Sequence, residues 1–127
     1  MPLEPGLSAQ VEITVTESDT AIAMRSGSVP VLATPRVIAL VEEACVQAVH
    51  GALEPGQTSV GMRVQLDHLN PTPVGGTAVA EATLDGCEGR RLNFKVAVND
   101  GRGLIAAGRV TRVVVDEERF MEKATGD

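Results

Sequence analysis

Two ionisable side chains stand at positions where apolar ones are expected. Glu42 lies in the run TPRVIALVEEACVQAVHG (residues 34–51), which has the spacing of a single helix. At about 100° per residue, Ile38, Cys45, Val46 and Val49 crowd one face, and Glu42 projects from the middle of them. Arg36, Glu43, Gln47 and His50 share the opposite, polar face. A carboxylate buried without a partner costs on the order of several kcal/mol, so Glu42 is either paired or at work. His68 raises the same question on a strand. Residues 58–69 alternate, with Met62, Val64, Leu66 and His68 on one face and Arg63, Gln65 and Asp67 on the other. Either residue alone would be a satisfied core side chain. An acid and an imidazole pointing into one layer from two elements is the combination that moves protons, and it suggests a hydrolytic or proton-transfer site.

The helix that carries Glu42 has defined ends. Thr34 is a good N-cap, Pro35 follows where a missing N–H costs nothing, and Gly51 fits the left-handed residue past the last turn. The Thr34 hydroxyl either caps the helix and nothing more, or adds a third polar group near free N–H groups that favour developing negative charge.

The remaining elements must fold around that helix. Residues 1–10 form an irregular lead-in, and VEITVT (11–16) is a half-buried strand with Val11, Ile13 and Val15 inward. TAIAM (20–24) has the pattern of a short second strand, and RSGSVPVLA (25–33) is an irregular approach to the helix. After the Pro55-Gly56 turn an antiparallel meander is expected: 58–69, then 77–84 with Ala78, Ala80, Ala82 and Leu84 inward. DGCEG (85–89) turns the chain into a strand with Leu92, Phe94, Val96 and Val98 inward. NDGRG (99–103) is a hairpin turn into a last strand over 104–115, with a bulge expected at Gly108. The charged tail from Asp116 onward is expected to fray, with at most a helical turn. One apolar helix wrapped by a sheet whose inward alanines allow close curvature is an α+β domain, here a single one over residues 1–127.

Composition excludes several functions. A formal charge of −6 argues against nucleic acid as a partner, and two Phe with no Tyr or Trp leave no stacking platform. No apolar run is long enough to span a membrane, and the N-terminal residues lack the pattern of a secretory signal, so a cytoplasmic protein is expected. Cys45 and Cys87 are expected as free thiols, Cys45 as a small core residue rather than a nucleophile. His50 near Gly51 is expected to complement the helix C-terminus. No spacing of His, Cys or Asp suggests a metal site.

Taken together, the Thr34-x7-Glu42-x-x-Cys45 helix, the LEPGQTSVG stretch ending at Gly61, His68 and EGRRLNFKV (88–96) resemble the fluoroacetyl-CoA thioesterase family, over residues from about 30 to 120. The resemblance implies the hotdog fold, in which one long helix is wrapped by five to six antiparallel strands. It implies hydrolysis of a small acyl-CoA thioester, with no cofactor beyond the coenzyme A of the substrate. By the same likeness Thr34, Glu42 and His68 match the catalytic residues. His68 would serve as general base, Glu42 as nucleophile or base towards the thioester carbonyl, and Thr34 as a hydrogen-bonding positioner. Gly61 matches a glycine beside the thioester, where the missing Cβ lets backbone approach the substrate.

Val31 and Leu32, with Val29, would line the acyl pocket, although RSGSVPVLA is short and lacks the Phe of the family's lid. Arg90 and Arg91 would anchor the coenzyme A phosphates. A homodimer or a tetramer is implied, with substrate at the subunit interface. The alternatives are a non-hydrolytic acyl-CoA-binding or resistance protein of the same fold, and a hotdog hydratase or dehydratase.

Overall fold

A computed structural model describes residues 2–126. Met1 and Asp127, the extremes of the expected lead-in and tail, lie outside them. The long helix α1 (Thr34–Ala48) packs on the concave side of a five-stranded antiparallel sheet. The strands are β1 (Ser8–Thr14), β2 (Gln57–His68), β3 (Thr77–Glu88), β4 (Arg91–Asp100) and β5 (Gly103–Asp116), in the spatial order β1-β3-β4-β5-β2. This is the hotdog arrangement. β1 and β2 are the edges, a point that matters for the site below.

The core forms where two periodicities meet. From the sheet, Ala78, Ala80, Ala82, Leu84, Leu92, Phe94, Val96 and Val98 are all buried, as their alternation predicts. From the helix, Val37, Leu40, Val41, Ala44, Cys45 and Ala48 make the buried stripe. That stripe is rotated from the expected one: Ile38 is only half-buried and Val46 is 41 % exposed. Glu42 therefore lies on the border of the packed stripe, beside an uncovered strip of Ile38 and Val46, because the sheet covers the helix from one side only.

Several local expectations are corrected. β1 starts at Ser8, three residues before Val11, and TAIAM is a turn held by the Ser26 N–H donating to the Ala21 carbonyl, with only an isolated bridge from Thr20 to Leu32. DGCEG does not turn at Asp85; β3 runs on to Glu88, and Gly89, with φ +61°, makes the turn. The chain past Asp116 forms a second helix, α2 (Glu117–Thr125), because the Asp116 carboxylate accepts from the Arg119 N–H and caps it. Gly51 lies in a short 3-10 turn (His50–Ala52) after Val49 ends α1, not in a left-handed cap.

The β2–β5 register shifts not at Gly108 but between Gly61 and Arg63. Gly108 is instead a close-approach residue, where a Cβ would collide with the Gln65 and Leu66 backbone. The bulge at Met62 changes the phase of β2. Ser59 and Gly61, opposite Val114 and Arg112, face the helix before it, and Val64, Leu66 and His68 do so after it. Met62, expected inward, is 47 % exposed.

Candidate active site

The start and the middle of α1 each hold one polar cluster. At the N-terminal end, Ala33 is the N-cap and has no side chain able to cap. Thr34 is thus the first helical residue, and its hydroxyl is free for another use: Oγ1 lies 2.8 Å from His68 Nδ1. The expected cap is instead a hydrogen-bond partner of the histidine. His68 reaches it because β2 resumes inward alternation after the bulge and ends there. Burial holds the imidazole pKa below its ordinary 6.5, against a weaker opposing pull from the Asn70 backbone, so the neutral ring is favoured. Its other nitrogen, Nε2, is buried and has no hydrogen-bond partner among the described residues.

Two turns further along α1, Glu42 Oε2 accepts from Arg112 Nη1 at 3.0 Å. Arg112 faces inward from β5 and is nearly fully buried. Its Nε donates to Ser59 Oγ at 2.9 Å and its Nη2 to the Ser59 carbonyl at 2.8 Å. Gly61 stands against the carboxylate, and a Cβ there would overlap Glu42 Oε2. The close approach made at Gly61 is thus to Glu42 of its own chain, distinct from the approach to substrate that the resemblance implies. Sequence reasoning missed Arg112 and Ser59, although a signal for the arginine was present. Val110, Arg112 and Val114 share the inward phase of β5, so Arg112 interrupts an apolar alternation just as Glu42 interrupts an apolar helix face.

Glu42 and His68 do not meet within one chain. Thr34 and Glu42 are eight residues apart on one helix, about 12 Å along its axis. Each touches a different part of β2, its last residue His68 for Thr34 and Gly61, near its middle, for Glu42. The expected acid–imidazole pair is replaced by Thr34–His68 at the helix start and Glu42–Arg112 near its middle.

A cavity of about 310 Å³ opens beside the first cluster. Val29, Val31 and Leu32 line it together with Thr34 and His68, so the residues expected around the acyl group do adjoin that cluster. Arg90 and Arg91 adjoin neither cluster. Both are exposed at the β3–β4 turn, and Arg90 shares a separate small cavity with Arg119, Phe120 and Lys123 of α2. Burial pushes the Cys45 thiol up to about 12, with the Arg112 guanidinium pulling the other way, so Cys45 is a core thiol and no nucleophile. Both cysteines are free. Among the described residues no group of three or more His, Cys, Asp or Glu could hold a metal ion, and no helix is long and apolar enough to cross a membrane.

Comparison with known proteins agrees with this fold. The family model for fluoroacetyl-CoA-specific thioesterase matches residues 15–118. The fluoroacetyl-CoA thioesterase of Streptantibioticus cattleyicolor is 40 % identical over 93 residues, 73 % of this chain and 67 % of the relative. A crystal structure of the fluoroacetyl-CoA thioesterase FlK superposes with a TM-score of 0.94 at 30 % identity, covering 100 % of this chain and 98 % of the other. A thioesterase superfamily member from Thermus thermophilus, at 25 % identity and covering 99 % and 98 % of the two chains, gives 0.85. By sequence along most of its length and by fold throughout, the chain belongs to the fluoroacetyl-CoA-specific thioesterase family.

Proposed function

We propose that this chain, as one domain over residues 1–127, hydrolyses a small acyl-CoA thioester to the free acid and the coenzyme A thiol, with Thr34, Glu42 and His68 as its catalytic residues. Membership of a thioesterase family supports the reaction, and the observation that carries the site is the split just described. Thr34–His68 lies at the start of α1 and the end of β2, and Glu42–Gly61 near the middle of both, so a working site joins the first cluster of one copy to the second cluster of another. β2 is an edge strand, bonded to β5 alone. Antiparallel pairing of two β2 edges, centred between Gly61 and His68, lays the His68 of one copy beside the Glu42 of the other and makes two identical sites per homodimer. Three features favour that pairing: the exposed Met62 on β2, the partly uncovered Ile38–Val46 strip flanking Glu42, and the buried His68 Nε2, which has no hydrogen-bond partner among the described residues of its own chain.

In that site Glu42 attacks the thioester carbonyl, or activates the water that does so. His68, kept neutral by burial, takes the proton from water and returns it to the coenzyme A thiolate expelled as the C–S bond breaks, and Thr34 fixes the ring through Nδ1. The acyl group lies in the cavity beside Val29, Val31 and Leu32. The phosphates of coenzyme A are met by Arg90 and Arg91, with Arg119 and Lys123 next to Arg90. The reaction needs no further cofactor and takes place in the cytoplasm.

Mixing two inactive variants tests the reading. Glu42→Gln keeps an acceptor for Arg112, whereas Glu42→Ala would leave a buried guanidinium unpaired. Glu42→Gln and His68→Ala proteins are each expected to release no thiol from short acyl-CoAs. Unfolded and refolded together in equal amounts, they give mixed dimers with one intact site and about a quarter of the wild-type rate. No recovery in mixed dimers rules out the shared site, and full activity of Glu42→Gln alone rules out the catalytic assignment.

A further inference from the structure

The structure assigns Ser59 and Arg112 a positioning role: together they fix which oxygen of Glu42 reacts. The inference rests on the hydrolytic reading above and goes beyond it to two residues outside the Thr/Glu/His set. A guanidinium is a planar fork whose donors hold fixed directions relative to one another. Two of Arg112's nitrogens are taken by one residue, Nε by Ser59 Oγ and Nη2 by the Ser59 carbonyl. The plane of the fork is therefore set by β2, and with it the direction in which Nη1 points. Nη1 holds Glu42 Oε2. On its other side Oε2 is closed in by Gly61, where a Cβ has no room. Oε1 accepts no hydrogen bond among the described residues, and the Glu42 side chain is one-third exposed while that of Arg112 is only 7 % exposed.

One carboxylate oxygen is thus anchored by Arg112, and the other carries no hydrogen bond among the described residues on a side chain that is one-third exposed. A glutamate has three rotatable side-chain bonds, and a carboxylate free to swing would present either oxygen in many directions. Anchoring Oε2 leaves Oε1 as the reacting oxygen, whether it attacks the carbonyl carbon or takes the proton of a water, and holds it near one approach line. Ser59 makes its side-chain hydrogen bond to Arg112 and none to Glu42. It acts through Arg112, and its effect belongs in turnover rather than in binding.

Ser59→Ala removes the Nε anchor and leaves both Glu42 and Arg112 in place. The expected result is a kcat lower by about 10-fold or more with KM within about twofold of wild type. Ser59→Thr, which keeps the hydroxyl, is expected to restore most of kcat. Arg112→Lys keeps the charge but not the fork, so it is expected to lose kcat as well; it serves as the second probe if Ser59→Ala fails to fold by circular dichroism. Wild-type kcat in a folded Ser59→Ala or Arg112→Lys protein overturns the positioning role, and so does an equal loss in Ser59→Ala and a folded Ser59→Thr. Thiol release by the wild-type enzyme is the control: if it is absent for every short acyl-CoA, the hydrolytic reading fails instead.

Discussion

The two polar clusters along α1 solve the burial of an ionisable group in different ways. At the C-terminal half, Glu42 meets a permanent counter-charge, and Arg112 in turn is held twice by Ser59. That cluster is a rigid ionic clamp with a glycine cut into its wall. At the N-terminal end His68 meets only a hydroxyl, and its second nitrogen is left without a partner. The first cluster keeps a charge in place. The second keeps a base neutral, because burial without a counter-ion disfavours the imidazolium. In the proposed mechanism an anchored acid and an uncharged base are the complementary halves of acid–base catalysis, and the fold keeps them apart on one chain.

The largest difference between the clusters is expected from Gly61→Ala. The new Cβ would push against Glu42 Oε2, so the carboxylate must leave its place or the strand must move. Activity should fall by roughly 100-fold through misplacement of the reacting group, with a loss of about 1–3 kcal/mol in urea unfolding. Retention of wild-type kcat would mean that the clamp tolerates displacement.

The N-terminal end should reveal itself in pH dependence. With the folded His68 pKa below 6.5, the rate should hold through neutrality and fall only as pH drops below the ordinary histidine range. The unfolded chain takes up this proton at its ordinary value while the folded one resists, so stability declines in the same window as pH falls. A kcat/KM profile whose acid limb has its midpoint above 6.5 contradicts this account.

The smallest effect is expected from Thr34→Val, which removes one neutral hydrogen bond worth about 1 kcal/mol and leaves the helix start unharmed, since Ala33 is the cap. A drop of about 10-fold in kcat with a melting temperature lowered by no more than the few degrees that about 1 kcal/mol accounts for fits a positioning hydroxyl; a much larger fall would return Thr34 to a structural role.

Much of this molecule is dictated locally. Inward Ala78, Ala80 and Ala82 and the Leu92–Val98 alternation are set by a period of two, and the long helix by its period and by Pro35 in its first turn, so the sheet, the helix and their mutual burial follow from residue type and spacing alone. Glu42 and His68 stand out for the same reason, as polar residues in apolar phases. What the chain order could not express is where one phase yields to another. The bulge at Met62 turns Met62 outward and brings Ser59 and Gly61 inward, and it depends on pairing with β5, a partner more than forty residues away. The rotation of the helix against the sheet, which leaves Glu42 at the border instead of the centre, depends on packing from one side only. Thr34 looks like a cap in sequence because capping is a local contact, whereas its bond to His68 spans 34 residues. Arg112 finds Glu42 across 70 residues. Hydrogen-bond partners of buried polar groups are chosen by tertiary register, and that register, not the sequence pattern, sets the two polar clusters apart along one helix.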